Sequence, residues 1–419
     1  MRFWSSIADI LLLTVCPYNG SINITRKKGI TMSLSRITEQ VNVRRVVQDT
    51  LELVKIGSAT GDAREVADRY ARMLTEVGCS VRRYEFIPDN PTLVAVWGEE
   101  REGRTILFNG HMDVVPLAHD EPEEKNGRVY GRGACDMKGS LACMLEVLRC
   151  LKETNTKLPG RLIVVANSLH ESPGGRGEDL YALLEQVPVQ ADAVVVMEGA
   201  TTDCTIAQLG SATFEIAIER EGEPCHQLSA PSGTPHPITV AGEIVRLLDQ
   251  WNGALEQEEI EDIGYASFFV GAIESGQFYN QLPKRAALTG VRRYSPAESF
   301  EEVESAMRSG LDAIAAARGV SIRLDMKKVR DGYRIDKDSP AVLAMRRAVT
   351  AVRGIDYPTA GKKVVTDAGI FVRALGVPAL CHGPDFRTAH GEVEYVEIRE
   401  LDLTVKAYLQ FITEFLETD

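Results

Sequence analysis

The segment Arg161–Ser168 (Arg-Leu-Ile-Val-Val-Ala-Asn-Ser) constrains the fold of this chain most strongly. It is nearly continuous in apolar residues, without polar alternation, so both of its faces must be covered. That is the property of a buried strand in a parallel sheet. Segment 192–198 has the same character. Helical patterns at 138–153 and 177–186 separate these runs, and the alternation predicts a layered α/β domain. Upstream, helices are expected over 36–57 and 61–78, and strands over 80–86, 92–97 and 105–109. Near residue 206 the pattern changes. Strand 209–219, helix 237–251, strands 265–274 and 285–294, helix 299–317 and strand 320–329 follow in β-α-β-β-α-β order, which is ferredoxin-like. The α/β pattern then resumes with helix 339–353, a short segment near 363–366, helix 367–375, strand 377–381 and helix 397–417. The expected organisation is a large α/β domain over 33–205 and 330–419, interrupted by a small α+β domain over 206–329.

Bulk properties set outer limits. A chain of 419 residues has room for two domains. A formal net charge of −13 and 6% aromatic residues argue against a nucleic-acid partner and against an anionic membrane surface. No run of about 20 apolar residues is present to span a bilayer. The cysteines are scattered without a CxxC pair, as suits free thiols in a reducing cytoplasm. Residues 1–32 read as an N-terminal extension. Its apolar stretch Ile10–Val15 is short for a secretory core, and Met32, just before an amphipathic helix, has the character of a start.

Ionisable residues recur at the ends of the apolar strands. His111, in Asn109-Gly110-His111-Met112-Asp113, ends a strand, where open α/β sheets place their sites. A neutral imidazole there suits a metal ion, with Asp113 as the natural partner to fix its tautomer. An isolated motif of this kind also suits an ordinary loop histidine. Asp136 lies just before a helix and reads either as a ligand or as an N-cap. Glu171, in Leu169-His170-Glu171-Ser172-Pro173-Gly174-Gly175, follows the buried strand. A carboxylate there can take a proton from metal-activated water and pass it to a leaving nitrogen. Glu198 also ends a buried strand, so it is either solvated in a cleft or paired with a cation. His390 lies in a late loop.

In order and context, His111-Met112-Asp113, Asp136, Glu171, Glu198 and His390 resemble the site of the co-catalytic zinc peptidases and deacylases. That family includes acetylornithine deacetylase, succinyl-diaminopimelate desuccinylase, aminoacylase and glutamate carboxypeptidase, and the resemblance spans about residues 36–419. It implies a zinc-peptidase-like α/β catalytic domain with an inserted ferredoxin-like α+β lid and dimerisation domain. It implies one metal held by His111, Asp136 and Glu198. A second metal would share Asp136 and add a glutamate at position 172 and His390. Glu171 would be the general base, and Asp113 beside His111 would count among the catalytic residues. The resemblance further implies that His226, in Glu223-Pro224-Cys225-His226, stabilises an oxyanion in the site of a partner subunit. Asn280 and Arg293 would clamp a substrate carboxylate. A homodimer or larger homo-oligomer through the inserted domain is implied as well.

Several positions depart from the family pattern. Ser172 stands where the second metal's glutamate belongs, and a neutral hydroxyl is a poor ligand for a hard divalent ion. His170 replaces the usual aspartate before the base. Asp367 matches a family aspartate, whereas Val364-Val365 replaces the usual glycines. The expectation is therefore one tightly bound divalent ion (Mn, Zn or Co), with His390, His170 and Ser172 left for a weak second ion or for substrate. The expected activity is hydrolysis of a non-cyclic C–N bond in a small carboxylate-bearing molecule. With one metal, the specific expectation is release of ammonia from a nitro-activated aromatic amine such as 5-nitroanthranilate, chemistry known from an atypical branch of the family. The alternatives are a two-metal N-acyl amino acid deacylase or carboxypeptidase, and a non-catalytic metal-binding relative. Retention of Glu171 speaks against the last.

Overall fold

The computed structural model describes residues 34–98 and 103–417. The extension over residues 1–32 lies outside them. A six-stranded sheet runs in the order Ser80–Ile87, Asn90–Trp97, Arg161–Asn167, Thr105–His111, Ala193–Val196, Ala379–Cys381. The last four strands are mutually parallel, and the first two join antiparallel. Thr105–His111 is buried throughout, and Arg161–Asn167 is buried beyond its first residue, so both faces of the sheet are covered. Register sets His111 opposite Asn167, Asn109 opposite Val196, and Val196 opposite Cys381. The C-terminal ends of four strands therefore reach one level, and His111, Asp113, His170, Glu171, Glu198 and His390 lie at these ends or on the loops that leave them, whereas Asp136 and Asp367 come from elsewhere.

Helix Lys138–Glu153 is the most enclosed of the covering layer. Its buried Glu146 accepts the backbone N–H of Asn42 at 2.7 Å and Arg45 Nη2 at 2.7 Å. This contact breaks the helix expected over 36–57. Asn42 becomes an N-cap whose side chain accepts from the Arg44 amide, and the chain forms Leu34–Thr38 and Val43–Lys55 instead. Helix Ile398–Glu417 lies against Lys138–Glu153 and Pro340–Arg353. It is fastened to the sheet by Tyr408 and Phe411, whose rings stand 5.2 and 6.4 Å from that of Phe108.

The inserted segment forms a four-stranded antiparallel sheet in the order Ser267–Ser275, Arg285–Tyr294, Gly210–Glu219, Ser321–Arg330. Helices Pro237–Leu255 and Phe300–Arg318 cover one face, packing Val240, Ile244 and Met307 against Phe214, Ile216 and Leu288. Ser299 and Glu302 close a reciprocal capping box at the start of the second helix. The sheet begins at Gly210. Cys204–Gln208 just before it pairs elsewhere, with Tyr333–Arg334 and Thr359–Lys362. The short segment expected near 363–366 is displaced to Thr359–Lys362 by that parallel pairing. A further small sheet joins Glu123–Lys125, Arg128–Tyr130 and Tyr395–Glu397. Strands of two to five residues carry no readable periodicity, which is why these were not anticipated.

Because Phe108 fastens the C-terminal helix to the central strand, Phe108→Ala is expected to lower stability by about 3–5 kcal/mol, seen as a fall in the urea midpoint. An unchanged midpoint would show that the helix is held by other contacts.

Candidate metal centre

His111 is buried at the end of its strand. Its Nδ1 lies 2.9 Å from the backbone oxygen of Asp113, and its Nε2 lies 3.1 Å from Asp136 Oδ1. The group that fixes the tautomer is thus a carbonyl. The Asp113 carboxylate, 3.6 Å from Nδ1, has other work. Its Oδ2 accepts the Thr60 hydroxyl at 2.8 Å and the amides of His170 and Glu171 at 3.1 and 2.9 Å. Asp113 therefore holds the loop that presents Glu171. Buried amides need such an acceptor.

Asp136 is not the N-cap of the following helix. Met137 takes that position and offers no side-chain bond. What holds the Asp136 loop is Glu394. Its Oε1 accepts the amides of Gly133, Cys135 and Asp136 at 3.0, 3.1 and 3.2 Å, and its Oε2 accepts Arg132 Nη1 at 2.7 Å. The pairing of Tyr395 with Tyr130 delivers Glu394 to this loop. A contact spanning 258 residues leaves no local signal in the sequence.

Glu171 is buried, with Oε1 3.0 Å from His390 Nε2. The same nitrogen lies 3.3 Å from Asp136 Oδ2. Bonds to Asp136 and Glu171 push the half-exposed His390 imidazole up to about 10. Burial works to raise the Asp136 carboxyl, but its bonds to His111 and His390 prevail and hold it well below the usual carboxylate range. Glu198 is the opposite case: burial pushes it up to about 7, and its buried Oε2 meets no hydrogen-bonding partner among the described residues. Next to it, Gly199 at φ +52° lets the Phe386 ring press on the backbone; a Cβ would stand 2.2 Å from Phe386 Cε1.

His111, Asp136 and Glu171 each offer a ligand atom, all within 4.8 Å of one another, and so do His111, His170 and Glu198. An uncompensated buried carboxylate oxygen beside imidazoles fits a divalent cation. Ser172 joins neither group; it is exposed on the turn after Glu171. Behind His170 lies a pair only half anticipated. Asp367 accepts Arg330 Nε at 2.7 Å and Asn167 Nδ2 at 2.9 Å, and Arg330 is fully buried at the end of the last inserted strand. No motif in the sequence sets Arg330 apart from other cations at strand ends. His382 is also buried, beside Ala200 O at 3.1 Å and Tyr357 Oη at 3.2 Å, and joins neither ligand group.

The inserted segment places its candidates apart from these groups. His226 is exposed, and its Nε2 lies 3.2 Å from Asn280 Nδ2 across the short ladder of Cys225–His226 with Gln281–Leu282. Arg293 is half-buried on strand Arg285–Tyr294. Its Nη1 is enclosed, without a partner among the described residues.

The signature of peptidase family M20/M25/M40 matches residues 107–414, a span that holds all of these ligand candidates. The chain belongs to this family. N-formyl-4-amino-5-aminomethyl-2-methylpyrimidine deformylase of Halalkalibacterium halodurans is 28% identical to the M20 chain over 409 residues, covering 87% of it and 92% of the deformylase. Succinyl-diaminopimelate desuccinylase of Cereibacter sphaeroides is 25% identical over 385 residues, covering 87% and 97%. Among solved structures, aminopeptidase PepT from Bacillus cereus shares the fold with a TM-score of 0.75 at 19% identity, over 90% of the M20 chain and 99% of its own. The M20 chain is thus a metal-dependent hydrolase acting on C–N bonds.

Since Glu394 gathers three amides around Asp136, Glu394→Ala is expected to weaken divalent-metal affinity by about 10–100-fold in a chelator competition. Unchanged affinity would show that the loop holds its shape without it.

Proposed function

We propose that this protein removes an acyl group from the nitrogen of a small carboxylate-bearing substrate, with Glu171 as general base and one tightly held Mn, Zn or Co ion. The observation that carries the reading is the place of Glu171. It is buried, its amide is held by Asp113, and its carboxylate lies within the ligand-atom cluster of His111 and Asp136. His111, Asp136 and Glu198 would hold the ion. A divalent cation there supplies Lewis-acid activation of water and of the scissile carbonyl. Glu171 takes a proton from the attacking water and delivers it to the leaving nitrogen. His390, 3.0 Å away, orients the Glu171 carboxylate between these two transfers.

Arg293 is the candidate for the substrate carboxylate. An enclosed guanidinium nitrogen without a partner is relieved by an anion, and the planar fork matches a carboxylate. His226, exposed beside Asn280, is available to a second copy of the chain. Strand Ser267–Ser275 leaves Phe269 and Ile273 exposed on the sheet edge, as a homodimer through the inserted segment requires. Among the described residues no helix is long and apolar enough to cross a membrane. Seven of their cysteines are free thiols, six of them buried, which suits a reducing cytoplasm.

The relatives' named activities, deformylation and desuccinylation, favour an amide over the nitro-activated aromatic amine expected above. The exposed Ser172, which supplies no second-metal carboxylate, is what keeps ammonia release from 5-nitroanthranilate as the second reading. A panel of N-formyl, N-acetyl and N-succinyl amines beside the aromatic amine decides between them. Acyl release is expected, with kcat reduced about 10²–10⁴-fold in Glu171→Gln. Ammonia release without acyl release, or full activity in Glu171→Gln, would contradict the proposal. Arg293→Ala is expected to raise KM for carboxylate-bearing substrates at least about tenfold while sparing amides that lack a carboxylate, the loss of one charge-assisted contact. Equal loss on both would remove Arg293 from the clamp.

A further inference from the structure

The steps above leave His170 idle. Its ring stacks flat on that of His111, with centroids 4.1 Å apart and planes within 3° of parallel. Its Nδ1 lies 3.0 Å from Asp367 Oδ1 and 3.0 Å from Arg330 Nη2. One ring nitrogen cannot serve both, because it either accepts from the guanidinium or donates to the carboxylate. Arg330 is supplied without it. Its Nε reaches Asp367 at 2.7 Å, its Nη1 reaches Val329 O at 2.6 Å, and its Nη2 reaches the His170 carbonyl at 3.1 Å. The buried Asp367 carboxylate gains a third donor only if Nδ1 carries the proton. That selects the Nδ1–H tautomer and leaves Nε2 as a bare lone pair, the arrangement found behind metal-ligating histidines. His111 is set the same way, with Nδ1 on the Asp113 carbonyl and Nε2 turned to the acidic cluster. Glu198 completes the set, offering a ligand atom within 4.8 Å of those of both histidines and a carboxylate oxygen without a partner.

We infer that His170 is a metal ligand in this chain, joining His111, Asp136 and Glu198 on one ion, and that Asp367 is the positioning residue that presents its Nε2. This rests on the reading of the cluster as the centre of a metal-dependent hydrolase. It unites the two departures in Leu169–Ser172: Ser172 removes a carboxylate ligand, and His170, two positions upstream, adds an imidazole. It also changes the donor set. Two imidazoles with two carboxylates favour Zn(II) or Co(II) over Mn(II) more strongly than one imidazole with two carboxylates does.

The test is proton NMR of the full-length protein loaded with one equivalent of Co(II). Each imidazole bound through Nε2 places its Nδ1–H close to the paramagnetic ion, giving a far-shifted signal that vanishes in D2O. Two such signals are expected, one lost in His170→Gln and neither lost in His390→Gln. Co(II) affinity in Asp367→Asn is expected to fall about 10–100-fold with both signals kept. If His170→Gln does not fold, two signals in both the wild type and His390→Gln still require an imidazole other than His390 beside His111. A single signal in the wild type, or loss of one in His390→Gln and none in His170→Gln, overturns the inference while leaving the hydrolase reading intact. A protein that takes up no Co(II) overturns both.

Discussion

Six carboxylates are buried around the strand ends (Asp113, Asp136, Glu171, Glu198, Asp367 and Glu394), and each must find donors or opposite charge. Five do so within the chain. Asp113 collects a hydroxyl and two amides, Glu394 collects three amides and Arg132, and Asp367 collects Arg330 and Asn167. Asp136 and Glu171 share His390. Glu198 keeps an oxygen without a partner beside the imidazoles of His111 and His170, whereas the similarly unpartnered Oδ1 of buried Asp179 belongs to a carboxylate whose Oδ2 is already tied to the Ser168 amide and the Thr92 hydroxyl. Asp113, Glu394 and Asp367 are spent on holding neighbouring segments in place, whereas Asp136, Glu171 and Glu198 each offer an oxygen within 4.8 Å of a ligand nitrogen of His111. That division separates the scaffold of the site from its chemistry.

The division depends on the parallel register of the central sheet. Pairing His111 with Asn167, and Asn109 with Val196, brings the loops bearing His111, Glu171 and Glu198 to one level. A slip of one residue would turn every side chain to the other face. The inserted segment is tied to the same place, because its last strand ends on Arg330, which grips both Asp367 and the His170 carbonyl. A rearrangement of the inserted sheet therefore bears directly on the loop that carries the base.

Much of this was legible beforehand. The buried strands announced themselves by unbroken apolar runs, and the long helices by their period and caps; helix 138–153 lies where the pattern put it. His111, Glu171 and Glu198 were visible because polar residues at the ends of buried strands need a reason to be there, and Asp136 because it sits in a glycine-rich loop just before a helix. What stayed hidden were long-range polar ties. Glu394 is one acidic residue in an acidic loop, and only the pairing of a three-residue strand brings it beneath Asp136. Asp113 does meet His111, as proximity in sequence suggested, but through its backbone carbonyl, because its carboxylate is taken by two amides across the loop. Ser172 was conspicuous as a missing ligand, but its neighbour His170 gained meaning only once Asp367 stood behind it.

The central claim is that Glu198, a buried carboxylate with an unpartnered oxygen beside two imidazoles, marks one strong cation site rather than two. Metal content after extensive dialysis, read by elemental analysis and followed by titration of the stripped protein, tests it most directly. One tightly bound equivalent per chain is the predicted result; two tight equivalents would contradict it.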